Sequence, residues 1–381
     1  MLNAAFVLER FFMKTEADFA IIGGGIVGLS IAYGILQQGY SVICIDGTDT
    51  DFRASRGNFG LVWVQGKGIT APSYARWTQE SARLYPDFVA RLSDHTGVNV
   101  SLSQMGGYEY FTDQNIFNQR IAEYEHLKHA LGGDYPYQIL SSDEIRAAEP
   151  MVGGQTIGAS YYPYDGHINP LQLLKALAEI CQKMGLSHYL GQIVDNVTQQ
   201  KGSFRLVSKK GLTISANKVV LCAGLGAKKL APLFGFKGLI SPQRGQVLVT
   251  EKLPPVINRP SVTIRQVNEG AIQIGDSNEE VGFNDNETNA QMSIIASNAI
   301  KVMPMLGQLR LVRAWGALRV MSPDGLPVYH QSASMPGAYL VTCHSGITLA
   351  AIHATQLSQW LIGGPKSQDI SSFSEDRFNA T

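Results

Sequence analysis

Three glycines and one aspartate near the start of the chain have the types and spacing that bind a dinucleotide. Gly23, Gly25 and Gly28 form a G-x-G-x-x-G pattern between an apolar segment, FAII, and a predicted helix. The first glycine permits a tight turn, the second lets a pyrophosphate approach the backbone, and the third lets helix and strand pack closely. Asp46 follows the next apolar strand and can accept hydrogen bonds from a ribose diol. This pattern predicts a dinucleotide site without saying which dinucleotide it binds.

Two later segments are expected near the same site. The stretch after Asp46, TDTDFRASRGNFGLVWVQGKG, is rich in glycine and too long for a simple connection, so we expect it at the carboxyl edge of the sheet, where ligands bind. The apolar strand KVVLCAG runs into Ala223 and Gly224 and then a helix, a second strand-to-glycine junction. A plain surface loop and an ordinary strand–turn–helix remain open as alternatives for these segments.

The helices and strands that must position these residues alternate along the chain. Their order predicts an α/β (α+β two-domain) fold, with a Rossmann-like parallel sheet in one domain and a mixed or antiparallel sheet in a smaller substrate domain. The predicted bounds are 15–97, 152–242 and 319–381 for the dinucleotide domain, and 98–151 with 243–318 for the substrate domain.

Two helices of the predicted substrate domain have readable ends. In SSDEIRAAEP, Ser142 is the expected N-cap, with acidic residues in the first turn, and Pro150 ends the helix. A second helix is expected near 292–306.

Composition excludes several classes of function. The 381 residues carry 31 basic and 31 acidic side chains, so no overall positive field points to nucleic acid. No apolar window is long enough for a membrane span, and Glu9 and Arg10 interrupt the apolar start, which argues against a secretory signal. The four cysteines lack zinc or iron–sulfur spacing, so we expect buried thiols, no metal site and a cytoplasmic protein.

Four separated motifs resemble the D-amino-acid-oxidase-like FAD oxidoreductases, the superfamily that includes glycine oxidase and sarcosine oxidase. They are the N-terminal glycine fingerprint, VVLCAG, WGALRVMSPDGLPV and HSGITLA, and the resemblance covers nearly the whole chain. Within the superfamily, NFGLVWVQGKG and IRQVNEGAIQIGDSNEEVGF look most like the β subunits of D-hydroxyproline dehydrogenase and of opine oxidases. The flavin subunit of hydrogen-cyanide synthase is a further relative.

The resemblance implies that FAD is the cofactor, held without a covalent bond, because Cys343 does not match the cysteine that sarcosine oxidase uses. It places the pyrophosphate at the glycine fingerprint, the adenosine ribose at Asp46 and the flavin edge at the segment after Cys343. The residues that match the family's cofactor contacts are Gly23, Gly25, Ile26, Val27, Gly28, Asp46, Gly47, Ser55, Arg56, Asn58, Phe59, Gly60, Val194, Ala223, Gly224, Ser345, Gly346, Ile347 and Thr348.

Arg319 matches the arginine that binds the substrate carboxylate in amino-acid oxidases of this superfamily. A guanidinium can hold a carboxylate by two parallel hydrogen bonds and so orient the carbon–hydrogen bond toward flavin N5. The alternative is a structural salt bridge. The resemblance implies no dedicated general base, since the flavin carries the chemistry.

Two positions depart from the family pattern. Thr263 stands where glycine oxidases have a carboxylate-binding tyrosine, and His344 stands where they have a second arginine. Arg265 is a candidate replacement, as is Tyr108 or Tyr110. His344 could titrate near neutral pH beside the substrate, or could simply be packed.

The resemblance implies FAD-dependent oxidation of a small-molecule amino acid, imino acid or opine, by hydride transfer from the carbon next to nitrogen to flavin N5. The implied setting is the β subunit of a hetero-oligomeric dehydrogenase, with an α subunit that is a second flavin protein and possibly a small iron–sulfur subunit. The alternatives are a stand-alone glycine or D-amino-acid oxidase that uses oxygen, and an FAD electron-relay subunit without its own substrate. An NAD-dependent dehydrogenase is a weaker alternative, because the additional cofactor motifs are superfluous for NAD.

Overall fold

A computed structural model describes residues 14–48 and 54–379 of the chain. Residues 1–12, which are not expected to form a secretory signal, lie outside the described residues. The part of the glycine-rich loop at 49–53 also lies outside them. Within the described ranges the strands are β1 (Glu16–Ile22), β2 (Val42–Ile45), β3 (Leu61–Val62), β4 (Gly107–Phe111), β5 (Gln138–Ser141), β6 (Gly158–Tyr162), β7 (Gly166–His167), β8 (Ser187–Tyr189), β9 (Val194–Gln200), β10 (Ser203–Ser208), β11 (Thr213–Leu221), β12 (Ser241–Lys252), β13 (Ile264–Gln266), β14 (Ala271–Ile274), β15 (Leu311–Met321), β16 (Val328–Gln331) and β17 (Ala338–Thr342).

The α-helices of the described residues connect these strands and cover the sheets. They are α1 (Ile26–Gln37), α2 (Ala54–Gly57), α3 (Pro72–Thr96), α4 (Gln114–Ala130), α5 (Ser142–Ala148), α6 (Pro170–Lys183), α7 (Ala227–Leu230), α8 (Asn289–Val302), α9 (Ala350–Ile352), α10 (Ser358–Ile362) and α11 (Gln368–Ser372). A π-helical segment, His353–Leu357, joins α9 to α10.

An eight-stranded sheet positions the glycine fingerprint. Its main path is β16-β17-β11-β1-β2-β8, with β10 and β9 added beside β11. β1 lies between β2 and β11 and is parallel to both. Side chains of β1 alternate between two cores: Phe19 and Ile21 join one apolar cluster, and Ala20 and Ile22 join another. The predicted α/β fold class is confirmed, because a largely parallel sheet is buried by apolar residues on both faces.

Two smaller sheets contribute residues to one further apolar core. One has the antiparallel order β13-β14-β12-β15, and the other has the order β4-β6-β5. Tyr108 of β4 bridges to Ser261, and a single apolar cluster contains residues of both sheets. The three-stranded sheet includes β6, beyond the domain boundary expected at 151, and β15 continues past the one expected at 318. The division into domains stays a prediction.

The observed positions of two helix ends differ from those expected from the sequence. Ser141, and not Ser142, caps α5, because its hydroxyl accepts the Glu144 N–H at 3.3 Å while the Glu144 carboxylate accepts the Ser141 N–H at 2.8 Å. The helix expected near 292–306 ends at Val302, since Pro304 cannot continue it and a short 3-10 turn follows.

The crossing of α1 over the C-terminal helical segment gives a test of the packing that supports the glycine fingerprint. A Cβ at Gly34 would lie 2.3 Å from both the Ala354 carbonyl oxygen and Ser358 Oγ. We expect Gly34→Ala to lower the free energy of unfolding by about 1–3 kcal/mol, because the two helices would have to separate. Urea unfolding measures this. Gly154→Ala is the control, since nothing lies within 4 Å of its Cβ position. Equal stability of the two variants would contradict the tight crossing.

Candidate active site and cofactor cavity

A cavity of about 1620 Å³ extends from the glycine fingerprint to β15. Pockets for one drug-sized ligand span ~300–1,000 Å³, so this volume can hold an extended dinucleotide together with a small substrate. Most of the residues predicted from the sequence line it: Gly23, Gly25, Ile26, Val27, Asp46, Gly47, Ser55, Arg56, Asn58, Phe59, Val194, Ala223, Gly224, Arg319, His344, Ser345, Gly346, Ile347 and Thr348. Gly28, Gly60 and Arg265 are not among its lining residues.

The glycine fingerprint is a turn that no larger residue could form. Gly23 has φ +113°, and a Cβ there would lie 2.4 Å from the Cys222 carbonyl oxygen. A Cβ on Gly28 would lie 1.9 Å from the Gly23 carbonyl oxygen, so Gly28 packs α1 onto β1 and does not face the cavity. Gly25 is the N-cap of α1, and Ser55 Oγ accepts the Ile26 N–H at 3.0 Å. This turn fits FAD because it opens backbone and a helix N-terminus to a pyrophosphate.

Charged groups are distributed along the cavity as a dinucleotide requires. Asp46 follows β2, and its carboxylate accepts the Gly47 N–H at 3.0 Å, which fixes the acid beside the fingerprint. Basic side chains also line the cavity and suit an anionic pyrophosphate: Arg56, Lys209, Lys228 and Lys229.

Segment 345–348, which follows β17, is predicted from the sequence to lie at the flavin edge. A hydrogen-bond network surrounds it. Ser345 Oγ accepts hydrogen bonds from Lys67 Nζ at 2.6 Å and from the Tyr74 hydroxyl at 2.8 Å. Thr348 Oγ1 accepts the Trp63 N–H at 3.1 Å. Burial lowers the pKa of Lys67 to about 8. The loop that carries Lys67 is thereby attached to the predicted flavin-binding segment, with a cation between them.

Asp165 holds the start of that loop in place. Its carboxylate accepts the Val64 N–H at 2.5 Å and the Gln65 side-chain amide at 2.8 Å. The side chain is fully buried, and burial raises the pKa of Asp165 to about 7. Because Lys67 follows two residues after Gln65, these bonds anchor the backbone that carries it, and Ser345 accepts a hydrogen bond from its ammonium group.

Arg319 lies in the cavity wall with its guanidinium already hydrogen-bonded. Nη2 donates to the Asp276 carboxylate, and Nη1 donates to the Ser277 carbonyl at 2.6 Å and to Asn278 Oδ1 at 3.0 Å. A Cβ on Gly245 would lie 2.6 Å from Nη2, so this glycine makes room for the guanidinium on the neighbouring strand. Partial desolvation in the cavity wall raises the pKa of Asp276, and the nearby charge of Arg319 acts in the opposite direction. Arg319 and Asp276 together line the cavity as an ion pair.

His344 lies in the cavity wall, and its protonation differs from the near-neutral alternative considered from the sequence. Burial, with the charges of Lys67 and Arg319, lowers the pKa of His344 to about 3. The imidazole is therefore neutral at physiological pH and does not titrate there.

The structure does not bring Arg265 to the substrate side of the cavity. The residue is 2% exposed, with Nε donating to Gln273 Oε1 at 3.0 Å and Nη1 to the Ile168 carbonyl at 3.0 Å. Its guanidinium lies 5.4 Å from the Phe59 ring centroid and against Gly60. Arg265 thus supports the 59–60 backbone from behind and does not replace the missing substrate contact.

The other two candidates for the missing tyrosine, Tyr108 and Tyr110, are not lining residues of the cavity. Thr263, which stands at the tyrosine's position, does not line it either. Lys67 and Asp276 line it but were missed from the sequence. The signals for them were local: Lys67 stands between two glycines in QGKG, and Asp276 follows strand AIQI closely, at a strand end.

The low pKa of Lys67 predicts a pH-dependent difference in stability. In the unfolded chain Lys67 titrates near 10.5, so between about pH 8 and 10.5 the folded state binds fewer protons, and stability rises with pH. Lys67→Met removes this dependence. We expect FAD-free Lys67→Met protein to be more stable than wild type at about pH 7, with the gap closing as the pH rises above about 8. Urea unfolding across this range tests it.

The exposed Lys175, paired with Glu179 on the surface of α6, supplies the control. Lys175→Met should show no such trend. A wild-type minus Lys67→Met difference that is constant with pH would contradict the lowered pKa.

Comparisons with known proteins agree with this geometry. The family model DAO, described as FAD dependent oxidoreductase, matches residues 18–360. An opine oxidase subunit of Rhizobium meliloti is 38% identical over 366 residues, covering 96% of this chain and 98% of that protein. The protein of the same name from Agrobacterium tumefaciens is 37% identical over 366 residues, with the same coverage. The crystal structure of glycine oxidase from Geobacillus kaustophilus superposes with a TM-score of 0.87 at 22% identity, covering 95% of this chain and 98% of that one. The chain belongs to the DAO family of FAD-dependent oxidoreductases.

Proposed function

We propose that this protein oxidises the secondary amine of an opine or imino acid, with hydride transfer from the carbon next to nitrogen to flavin N5. One observation carries the proposal: the similarity to the opine oxidase subunits runs over nearly the full length of both chains. The family membership establishes an FAD-dependent enzyme of the kind that acts on amino and imino acids. The substrate class within that range is the proposed part.

The residues of the cavity supply binding, orientation and charge for this reaction, and FAD, when bound, supplies the hydride acceptor. Arg319 would bind the substrate carboxylate and hold the reacting carbon in place. The 345–348 segment with the Lys67 ammonium would stabilise negative charge that develops on the cofactor. His344, neutral because of its burial, adds no charge at neutral pH.

The proposed setting is a hetero-oligomer in the cytoplasm. The naming of the opine oxidase relatives as subunits supports a multi-subunit enzyme. We propose an α subunit with its own flavin, and a small iron–sulfur subunit, as partners that take the electrons onward. The four cysteines are buried free thiols, in keeping with a reducing compartment and with non-covalent FAD. Among the described helices, none is both long and apolar enough to cross a bilayer.

Anaerobic reduction of the bound flavin tests the substrate class. We expect octopine or nopaline to bleach the flavin band near ~450 nm, since electrons pass from the amine to the cofactor. Proline and cis-hydroxy-D-proline are the comparison substrates, and faster bleaching by these would favour the imino-acid form of the proposal. Rapid, stoichiometric peroxide formation by the isolated chain in air would favour a stand-alone oxidase. A flavin that none of these compounds reduces would contradict the proposal.

Substitution of Arg319 tests its binding role. We expect Arg319→Ala to lower kcat/KM for flavin reduction about 10- to 150-fold, since hydrogen bonds to a charged group contribute roughly 1.5–3 kcal/mol. Arg319→Lys should recover part of this, as it keeps the charge without the planar fork.

Arg310→Ala is the matched control, because Arg310 pairs with Glu251 and does not line the cavity. Unchanged reduction kinetics in Arg319→Ala would contradict the role of Arg319 in binding the substrate carboxylate.

A further inference from the structure

In the ion pair of the cavity wall, the acid is more exposed than the base. The Asp276 side chain is 42% exposed, whereas the Arg319 side chain is 17% exposed. Both residues line the cavity. A substrate that approaches Arg319 therefore meets the Asp276 carboxylate beside the guanidinium.

A neighbouring acid of the same segment, Glu279, pairs with other residues. Glu279 binds Arg244 at 2.6 Å and also accepts hydrogen bonds from Ser277 and Gln246. These groups lie on the side of the segment where Arg244 is buried. Asp276 differs because it combines a cavity-facing carboxylate with one ion-pair partner, Arg319, within the described residues.

This arrangement is a poor site for a simple anion. The charge of Arg319 is balanced by Asp276, and Asp276 repels a carboxylate placed beside it. A molecule that carries a carboxylate next to a cationic nitrogen fits better, because its carboxylate can lie beside Arg319 while its nitrogen lies beside Asp276. An amino acid, imino acid or opine has that arrangement of atoms at its reacting end.

We propose that Asp276 binds the amine nitrogen of the substrate while Arg319 binds the neighbouring carboxylate. Asp276 is then the residue that selects nitrogen-bearing substrates over hydroxy acids and ethers of the same shape. This assignment rests on the proposed function, which supplies the class of substrate, and it adds a specificity-determining residue to the site.

Two diacids that differ at a single atom test the assignment. Iminodiacetate has a secondary amine between two carboxylates, and oxydiacetate has an ether oxygen there. Binding is measured by calorimetry on the FAD-loaded protein after anaerobic reduction of the flavin, so that neither compound can be oxidised. We expect the wild type to bind iminodiacetate at least about tenfold more tightly than oxydiacetate. In Asp276→Asn the difference should fall to about twofold or less, with oxydiacetate bound as well as or better than before.

Glu280→Gln is the charge-matched control, since Glu280 accepts a hydrogen bond from Gln243 and is not a lining residue. It should keep the wild-type discrimination. FAD content and melting temperature of each variant report on folding. Equal weakening of both diacids in Asp276→Asn would show that Asp276 acts by holding Arg319, and unchanged discrimination would show no contact with the nitrogen. Either result overturns the inference.

The failure of the inference is distinguishable from the failure of the proposed function. If opines reduce the flavin of wild type and Asp276→Asn alike with unchanged discrimination between the diacids, the function stands and the role of Asp276 falls. If the wild type binds neither diacid and no opine reduces its flavin, both fall.

Discussion

The close approach of α1 to β1 at the glycine fingerprint is the constraint on which the cavity depends. The Gly23 carbonyl oxygen occupies the space where a Cβ of residue 28 would lie, 1.9 Å away. This contact brings the N-terminus of α1 to the carboxyl end of β1, in the centre of the parallel sheet. The positive end of the helix dipole and the exposed backbone then face the cavity. The carboxyl ends of β2, β11 and β17 bring Asp46, Ala223 and Ser345 to the same edge.

A second contact brings the substrate side of the cavity to the cofactor side. The Trp315 indole N–H on β15 donates to the Gly57 carbonyl at 3.1 Å, and a Cβ on Gly57 would lie 2.4 Å from that of Ala317. The four-stranded antiparallel sheet that contains β15 is therefore in direct contact with the loop that wraps the predicted pyrophosphate site. Arg319 follows two residues after Ala317, with its side chain in the cavity wall. The position of this arginine relative to the fingerprint thus depends on the contact between β15 and the segment that carries α2.

Sequence patterns predicted the features whose causes are local. The strand, the three glycines, the helix and the terminal acid follow one another within a single segment, and their geometry follows from glycine's backbone freedom and apolar alternation. The fold class was predictable for the same reason, whereas most of the cavity-lining residues outside this segment were assigned from the family resemblance. The placement of Arg265 was not predictable, because burial behind Phe59 depends on how β13 packs against a loop far away in the sequence.

Asp276 and Lys67 were missed for a related reason. Each is an ordinary charged residue in a glycine-containing segment, and each acquires its role through a partner distant in sequence. Asp276 pairs with Arg319, and Lys67 donates to Ser345. The lowered pKa of His344 is likewise a consequence of burial and of nearby cations, which a sequence does not display. The N-cap of α5 lies one residue before the expected Ser142, because Ser141 and Glu144 form reciprocal capping bonds.

A crystal structure of the FAD-loaded protein with iminodiacetate bound, after anaerobic reduction of the flavin, tests the central claim most directly. That claim is that one cavity holds both the cofactor and a substrate carboxylate in register with each other. The account predicts the FAD pyrophosphate at the Gly23–Gly28 turn and a ligand carboxylate within hydrogen-bond distance of Arg319, on the flavin side of the cavity. A carboxylate bound elsewhere, with the Arg319–Asp276 pair closed and unchanged, would contradict it.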